Sequence, residues 1–284
     1  MSATLTIPDP VAPGFGEHKG GHYYGLKPSM TGPETSTPVW FPLYEEGKDF
    51  TLRHARKIVE GGGVAVPSVT TIMGVLAKPQ LERWKMENAA GAMFDLCMEP
   101  NPSVTDREAC IDRAVATASG ASRGAMDLGS RIHKAIEECV KGNPYDAALD
   151  VYVQATLAQR ALYGITEAVS EKCVGCLKYG YAGRADELSA GLTVGDFKSR
   201  KSKGKKVAYY ETDLMQLAAY GFAEYGNQFF KDGRGIVYGI STTDQGLVTG
   251  HEFKGPELVK PFQAFLALNE VWRFQNNYDP RRAA

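Results

Sequence analysis

The chain has 284 residues, 43% of them hydrophobic, with a formal net charge of −1. This is enough apolar material for one large domain or two small ones, and no global field draws the chain to nucleic acid or a membrane surface, so any polyanion must be met by a local patch. No apolar run reaches membrane-spanning length, Met1 to Thr6 lacks a basic segment followed by an apolar one, and five cysteines fit reduced thiols in a cytoplasm.

Residues 1–60 are rich in Gly, Pro, Ser and Thr, with aromatics at Tyr23, Tyr24, Trp40, Phe41 and Tyr44. They read as an extended arm with one short hairpin, packed on the body because the aromatics require burial. His18 and His22 read as a surface pair. Gly61-Gly62-Gly63 marks the boundary, and residues 61–284 are expected to form a single domain. Ser68 precedes an apolar run as an N-cap, so a helix starts there. A helix N-terminus with the hydroxyls of Ser68 and Thr70 is also a phosphate site, although a plain cap is the more economical reading. Pro79 opens a second helix through Trp84 and Met86 towards Leu96. Another follows Thr105, and a longer one ends at Gly142 with Ile132, Ile136 and Val140 as its buried stripe. His133 sits beside that stripe, either as a hydrogen-bonded core residue or as a ligand.

A helix is expected from Asp150 to Gly164, and a strand from Ile165 to Val174 containing Glu171. Cys173-x-x-Cys176 has no downstream cysteine partners, so it makes a weak metal or redox motif. After the hairpin described below comes a basic loop, Arg200, Lys201, Lys203, Lys205 and Lys206, with Ser202 and Gly204 expected to keep it loose until phosphates order it. A helix from Glu211 to Gly226 places Gln216 and Tyr220 four apart on one face. Strands Gly235–Ser241 and Leu247–Phe253 precede a final helix with Phe262, Phe265 and Trp272, and Pro261 in its first turn.

The chemistry concentrates between Gly183 and Lys198. Alternating residues on both sides of Ser189-Ala190-Gly191 predict a β-hairpin. The period of two sends Asp196 and Lys198 to one face and Phe197 to the other. A three-residue loop, Ser189 to Gly191, sets Asp186 opposite Val194 and on the face of Asp196; a two-residue loop sends it to the other face. Two carboxylates and an ammonium converging on a sheet face need pairing or a cation, and hard oxygen ligands suit Mg²⁺. Acid-x-Lys alone is a weak motif. It occurs at Glu17/Lys19, Glu46/Lys48, Asp196/Lys198 and Glu252/Lys254. Gly-x-x-Asp upstream and Gln216 and Tyr220 downstream set the third apart.

A helix with Gly-x-x-x-His (Gly129, His133), then Gly183-x-x-Asp186, Asp196-x-Lys198 and Gln216-x-x-x-Tyr220 in that order, resembles the RecB-type branch of the PD-(D/E)XK nucleases. That branch includes the mitochondrial genome-maintenance exonuclease and phage-borne relatives, to which the Pro67-Ser68-Val69-Thr70 start and Trp84 are also similar. The resemblance spans residues 64–275. It implies an α/β fold with a restriction-endonuclease-like core, a mixed central sheet flanked by helices, and additional N-terminal helices. It implies that His133, Asp186, Asp196 and the carbonyl of Phe197 hold one or two Mg²⁺ or Mn²⁺ ions. Lys198 would be the catalytic lysine, Gln216 and Tyr220 its support and DNA contact, and Glu171 the acid that some members carry on the first strand. Ala185 stands where the name-giving proline would be. The cysteines that hold an iron–sulfur cluster in some relatives are not matched, so no cluster is expected. The implied function is a metal-dependent DNA exonuclease acting at single-stranded or duplex ends in recombination, repair or phage DNA metabolism. Its setting would be the cytoplasm of a bacterial or phage-infected cell, with a single-strand-annealing or other recombination partner and no membrane. The rivals are a structure-specific endonuclease, a silent nuclease fold that only binds nucleic acid, and a metal-free module with a decorative acidic hairpin.

Overall fold

The computed structural model describes residues 23–27, 39–43, 50–77, 79–98, 107–202 and 204–283. His18, His22, Tyr44, Lys203 and the pairs Glu17/Lys19 and Glu46/Lys48 lie outside them. Near the N-terminus β1 (Tyr23–Lys27) and β2 (Val39–Leu43) form an antiparallel hairpin, extended on the other edge of β1 by β3 (Val66–Pro67). Tyr23 and Tyr24 are buried, and Tyr23 meets the rings of Phe50 and Trp272. The expectation of an extended arm up to residue 60 is corrected by a helix, α1 (Leu52–Glu60). Ala55 is buried, and Leu52, Ile58 and Val59 pack with it against the core. The Gly/Pro-weighted composition of the arm hides that helical spacing.

Next come α2 (Val69–Met73), α3 (Pro79–Cys97) and α4 (Arg107–Val140). Two helices were expected where α4 runs unbroken through 34 residues, about 51 Å at 1.5 Å per residue. Gly120 and Gly124 lower its propensity by about 1 kcal/mol each without breaking it, and α3 packs alongside. Its C-terminal half buries Ile132, Ala135 and Ile136 against the main sheet. Among the described residues no helix is long and apolar enough to cross a membrane.

The remainder is a mixed α/β unit: α5 (Asp150–Leu162), β4 (Ala168–Cys176), β5 (Tyr181–Ser189), β6 (Thr193–Arg200), α6 (Glu211–Tyr225), α7 (Gln228–Asp232), β7 (Arg234–Ser241), β8 (Val248–Lys254) and α8 (Val259–Asn276). The five strands β4 to β8 lie side by side in chain order; β6 and β7 are parallel and the other neighbours antiparallel. Helices cover both faces. Phe197, Ile236, Tyr238 and Ile240 pack on α4 and α5, whereas Val194 and Val237 pack with Leu217 of α6 and Phe262 and Phe265 of α8. The switch between Ile236 and Val237 is the strand period of two.

The hairpin keeps the odd-length connection but shifts by two residues. Ser189 pairs with Thr193, so the loop is Ala190-Gly191-Leu192. Gly191 and Leu192 both take left-handed backbone, with φ of 69° and 54°. The Thr193 hydroxyl closes the loop on the Ala190 carbonyl at 2.9 Å. The register therefore sets Asp186 across from Asp196, not Val194.

Arg160 of α5 and Glu187 of β5 form an ion pair in which neither residue is more than 5% exposed. Burial pushes the Glu187 carboxyl up, and the guanidinium opposes this. Arg160→Met should cost about 3–5 kcal/mol by leaving a buried charge uncompensated. Urea unfolding should show the loss shrinking towards acid pH, where Glu187 takes up a proton, and Arg160→Met/Glu187→Leu should recover most of it.

Candidate active site at a fork between two strands

Strands β5 and β6 pair only at Glu187–Gly195, Leu188–Val194 and Ser189–Thr193. Beyond these, β6 pairs with β7, and β5 pairs with β4 and makes one parallel bridge, Ala182 to Ser68, on the edge that β6 has left, so the two strands part. Asp186 and Asp196 are the first residues past the fork. Asp186 Oδ2 accepts a hydrogen bond from the Phe197 N–H at 2.8 Å, taking the place of the next ladder bond. Asp196 is fully buried. Lys198 Nζ donates to Asp196 Oδ1 at 2.8 Å and to Gln216 Oε1 at 3.1 Å. Gln216 Nε2 donates to the Tyr220 hydroxyl at 3.3 Å. Asp196 Oδ2 lies 2.7 Å from the same ammonium, at an angle too acute for a hydrogen bond, and is left without a donor.

The Gly-x-x-Asp spacing acquires a physical reason here. A Cβ on Gly183 would come within 2.6 Å of Tyr220 Cε1, so only glycine seats the ring that supports Gln216. His133, on α4, arrives from over fifty residues upstream. Its Nδ1 is 3.8 Å from Asp186 Oδ2, and its ring meets Phe197 edge-on at 6.0 Å. Ile132 and Ile136 fill the core beside it.

Glu171 stands across β4 from Asp186, between the pairs Ser170–Glu187 and Lys172–Ala185. It pairs with Arg184 and holds a left-handed φ of 58°. Such a backbone costs of order 1–3 kcal/mol in a non-glycine residue. Strand alternation fails at the same place. Gly183 is covered by Tyr220 of α6, yet Glu187, an even number of residues on, reaches Arg160 on the opposite face.

Burial raises the Asp196 carboxyl to about 7; Lys198 opposes the rise and Asp186 adds to it. Asp186 is also raised by burial. Burial alone would lower the Lys198 ammonium, but Asp196 and Asp186 outweigh it and hold the group above its usual value. Burial lowers His133 to about 4, helped by Lys198 and opposed by Asp196, so the imidazole is neutral near pH 7. Glu171 is pushed up by burial to about 7, with Arg184 opposing and Asp186 adding.

Other expected site residues fall elsewhere. Ser68 is buried and caps α2: its Oγ accepts from Thr71 N–H at 3.0 Å and donates to Thr71 Oγ1 at 2.9 Å. The Thr70 hydroxyl is 2.9 Å from the same Oγ. Ser68 is the expected cap, and it bridges to Ala182 of β5, while Thr70 is exposed. Arg200 grips Asp213 through two hydrogen bonds of 2.7 Å and the Ala208 carbonyl at 2.9 Å, closing its loop. On either side of Lys203 the chain is tied by Ser202 to Thr243 and by buried Val207 to Thr249. Lys201, Lys205 and Lys206 remain exposed. Cys173 and Cys176, three apart on β4, face opposite sides and cannot chelate together. In the competing pair, Glu252 binds Arg234 at 2.8 Å and Lys254 is exposed. Asp213 was missed; an acid in the first turn of a helix was its only signal.

Among the described residues no three His, Cys, Asp or Glu side chains are gathered to hold a metal ion. No known protein family matches the chain, and no curated protein is similar to it.

The neutral His133 sets a pH dependence. The unfolded chain protonates it below about 6.5 and the folded chain only near 4, so stability falls as pH falls between those values. His133→Gln should remove this component, so the wild type should lose stability relative to it between pH 6.5 and 4 in urea titrations. The His133 ring resonances should stay constant through pH 6.5.

Proposed function

We propose that the chain is a metal-dependent DNA nuclease acting as an exonuclease at DNA ends. It would be built on a restriction-endonuclease-like core of the RecB-type PD-(D/E)XK branch. The observation that carries this reading is the meeting of Asp186, Asp196, Lys198, Gln216, Tyr220 and His133 at one strand fork. These residues are scattered over 88 positions, from His133 to Tyr220. An acidic surface decoration would not be buried, linked by hydrogen bonds and set around one lysine.

The chemistry of the donor set suits a divalent cation, although the three side chains would have to draw together around it. Asp196 Oδ2 is buried without a hydrogen-bond donor, Asp186 stands across the fork, and His133 offers a neutral nitrogen beside it. Two carboxylates are what Mg²⁺ typically takes from a protein, and the imidazole admits Mn²⁺. Asp186, Asp196 and His133, with the Phe197 carbonyl, would hold the ion. When bound, it would neutralise phosphate charge and make a water nucleophilic near neutral pH.

Lys198 supplies the rest of the chemistry. Its ammonium is held charged by the two carboxylates, and its side chain is 21% exposed, so a phosphate at the fork can reach it. There it would stabilise negative charge as it develops on the phosphoryl oxygens. Gln216, braced by Tyr220, fixes where that ammonium points. Glu171 adds a carboxyl next to Asp186, with a pKa near 7 suited to proton transfer.

A time course on end-labelled single- and double-stranded DNA tests the reading. Mg²⁺ or Mn²⁺ should support loss of nucleotides from the ends, circular DNA should survive, and chelation should stop the reaction. Asp196→Asn should slow cleavage at least about a hundredfold. Lys198→Ala should lower turnover with DNA binding nearly intact, and Lys254→Ala should change neither. A chain that leaves DNA intact with either cation, or an Asp196→Asn variant that cuts normally, overturns the proposal.

The exposed lysines carry a separate expectation. Lys201→Ala/Lys205→Ala should weaken binding equally for all sequences and make the salt dependence shallower by up to about one unit of slope per lost contact. Anisotropy titrations over a range of salt concentrations measure both.

A further inference from the structure

Tyr209 and Tyr210 stand at the entrance of α6, 40% and 46% exposed. Both rings are nevertheless held in place. Tyr209 sits edge-on to His251 and to Phe253, with ring centroids 4.9 Å apart in each case. Tyr210 carries the Arg200 guanidinium over its ring at 4.1 Å, and its backbone N–H donates to Asp213 at 2.8 Å. The loop leading to them is anchored by Val207, whose N–H donates to Thr249 Oγ1 at 3.1 Å and whose carbonyl lies 2.7 Å from His251 Nε2. Immediately before this anchor stand the exposed cations Lys205 and Lys206, with Lys201 at the start of the loop.

Rigid exposed aromatics beside exposed cations are the chemistry of single-strand binding: cations track the phosphates and each base offers a π-face to a ring. An intact duplex keeps its base faces inside the stack and cannot use the rings. Six residues along α6 separate Tyr210 from Gln216, which holds Lys198, a rise of about 9 Å.

We infer that Tyr209 and Tyr210, at the N-terminal end of the helix that carries Gln216, form a base-stacking platform that receives unpaired nucleotides of single-stranded DNA. The inference rests on the nuclease reading for its ligand, and commits that reading to a single-stranded substrate.

The test uses the full chain with chelator present and measures anisotropy on three labelled DNAs: a short oligo-dT, an abasic oligonucleotide of equal length with the same phosphates, and a blunt duplex. The parent should bind oligo-dT more tightly than the abasic strand. Tyr209→Leu/Tyr210→Leu should lower affinity for oligo-dT about five- to tenfold, with abasic and duplex binding and the salt slope unchanged. Tyr209→Phe/Tyr210→Phe should bind as the parent does. If the double leucine variant fails to fold, Tyr210→Leu alone carries the test, because that ring is stacked on Arg200 and not on a core aromatic. A leucine variant that keeps full affinity for oligo-dT, or loses affinity equally for all three DNAs, overturns the platform. If the parent still cuts DNA in that case, the nuclease reading stands without it. A parent that binds none of the three DNAs overturns both.

Discussion

A buried carboxylate, Asp196, meets a half-buried carboxylate and ammonium, Asp186 and Lys198, where a sheet comes apart, and much of the chain is arranged to make that tolerable. Desolvating such charges is expensive unless every one is paired. The Phe197 N–H is taken from the ladder and given to Asp186. Lys198 is divided between Asp196 and Gln216. The fork and the charge cluster are therefore a single feature: closing the ladder would remove the donor that Asp186 needs, and removing Asp186 would leave that N–H unpaired.

The surrounding elements hold this feature open. β6 survives the loss of β5 because β7 pairs with it in parallel along its whole length, from Thr193 to Arg200. α6 brings Gln216 and Tyr220 from one side, and its close approach is possible because position 183 has no side chain. α4 crosses from the other side with His133, and a Cβ on its Gly129 would meet Ser199 Cβ at 3.5 Å. Strain collects at the same point, in the left-handed Glu171 opposite Asp186. Strained backbone beside perturbed carboxyls is the pattern of a site held against its own stability.

Around the fork, cations divide into two kinds. Arg200 faces inward, gripping Asp213 and covering Tyr210, so it shapes the loop. Lys201, Lys205 and Lys206 face outward. Guanidinium geometry suits the first role, with a fork that matches one carboxylate; ammonium groups on flexible stems suit the second.

Much was legible in the sequence because it is local. The period of two put Asp196 and Lys198 on one face opposite Phe197, and the period of 3.6 found the helices at 150–164 and 211–226 with Gln216 and Tyr220 aligned. The tertiary structure alone decided what depends on non-local hydrogen bonds. The register of the hairpin moved by two residues because Leu192 accepts a left-handed backbone at the turn. The alternation of β5 fails between Gly183 and Glu187, which no period describes. α4 runs unbroken with α3 packed beside it, and Arg200 turned to a partner, Asp213, whose claim on it no spacing rule announces. A sequence records which residues have the chemistry of a site; which of them have atoms to spare for a substrate is decided by the hydrogen bonds that the fold has already made.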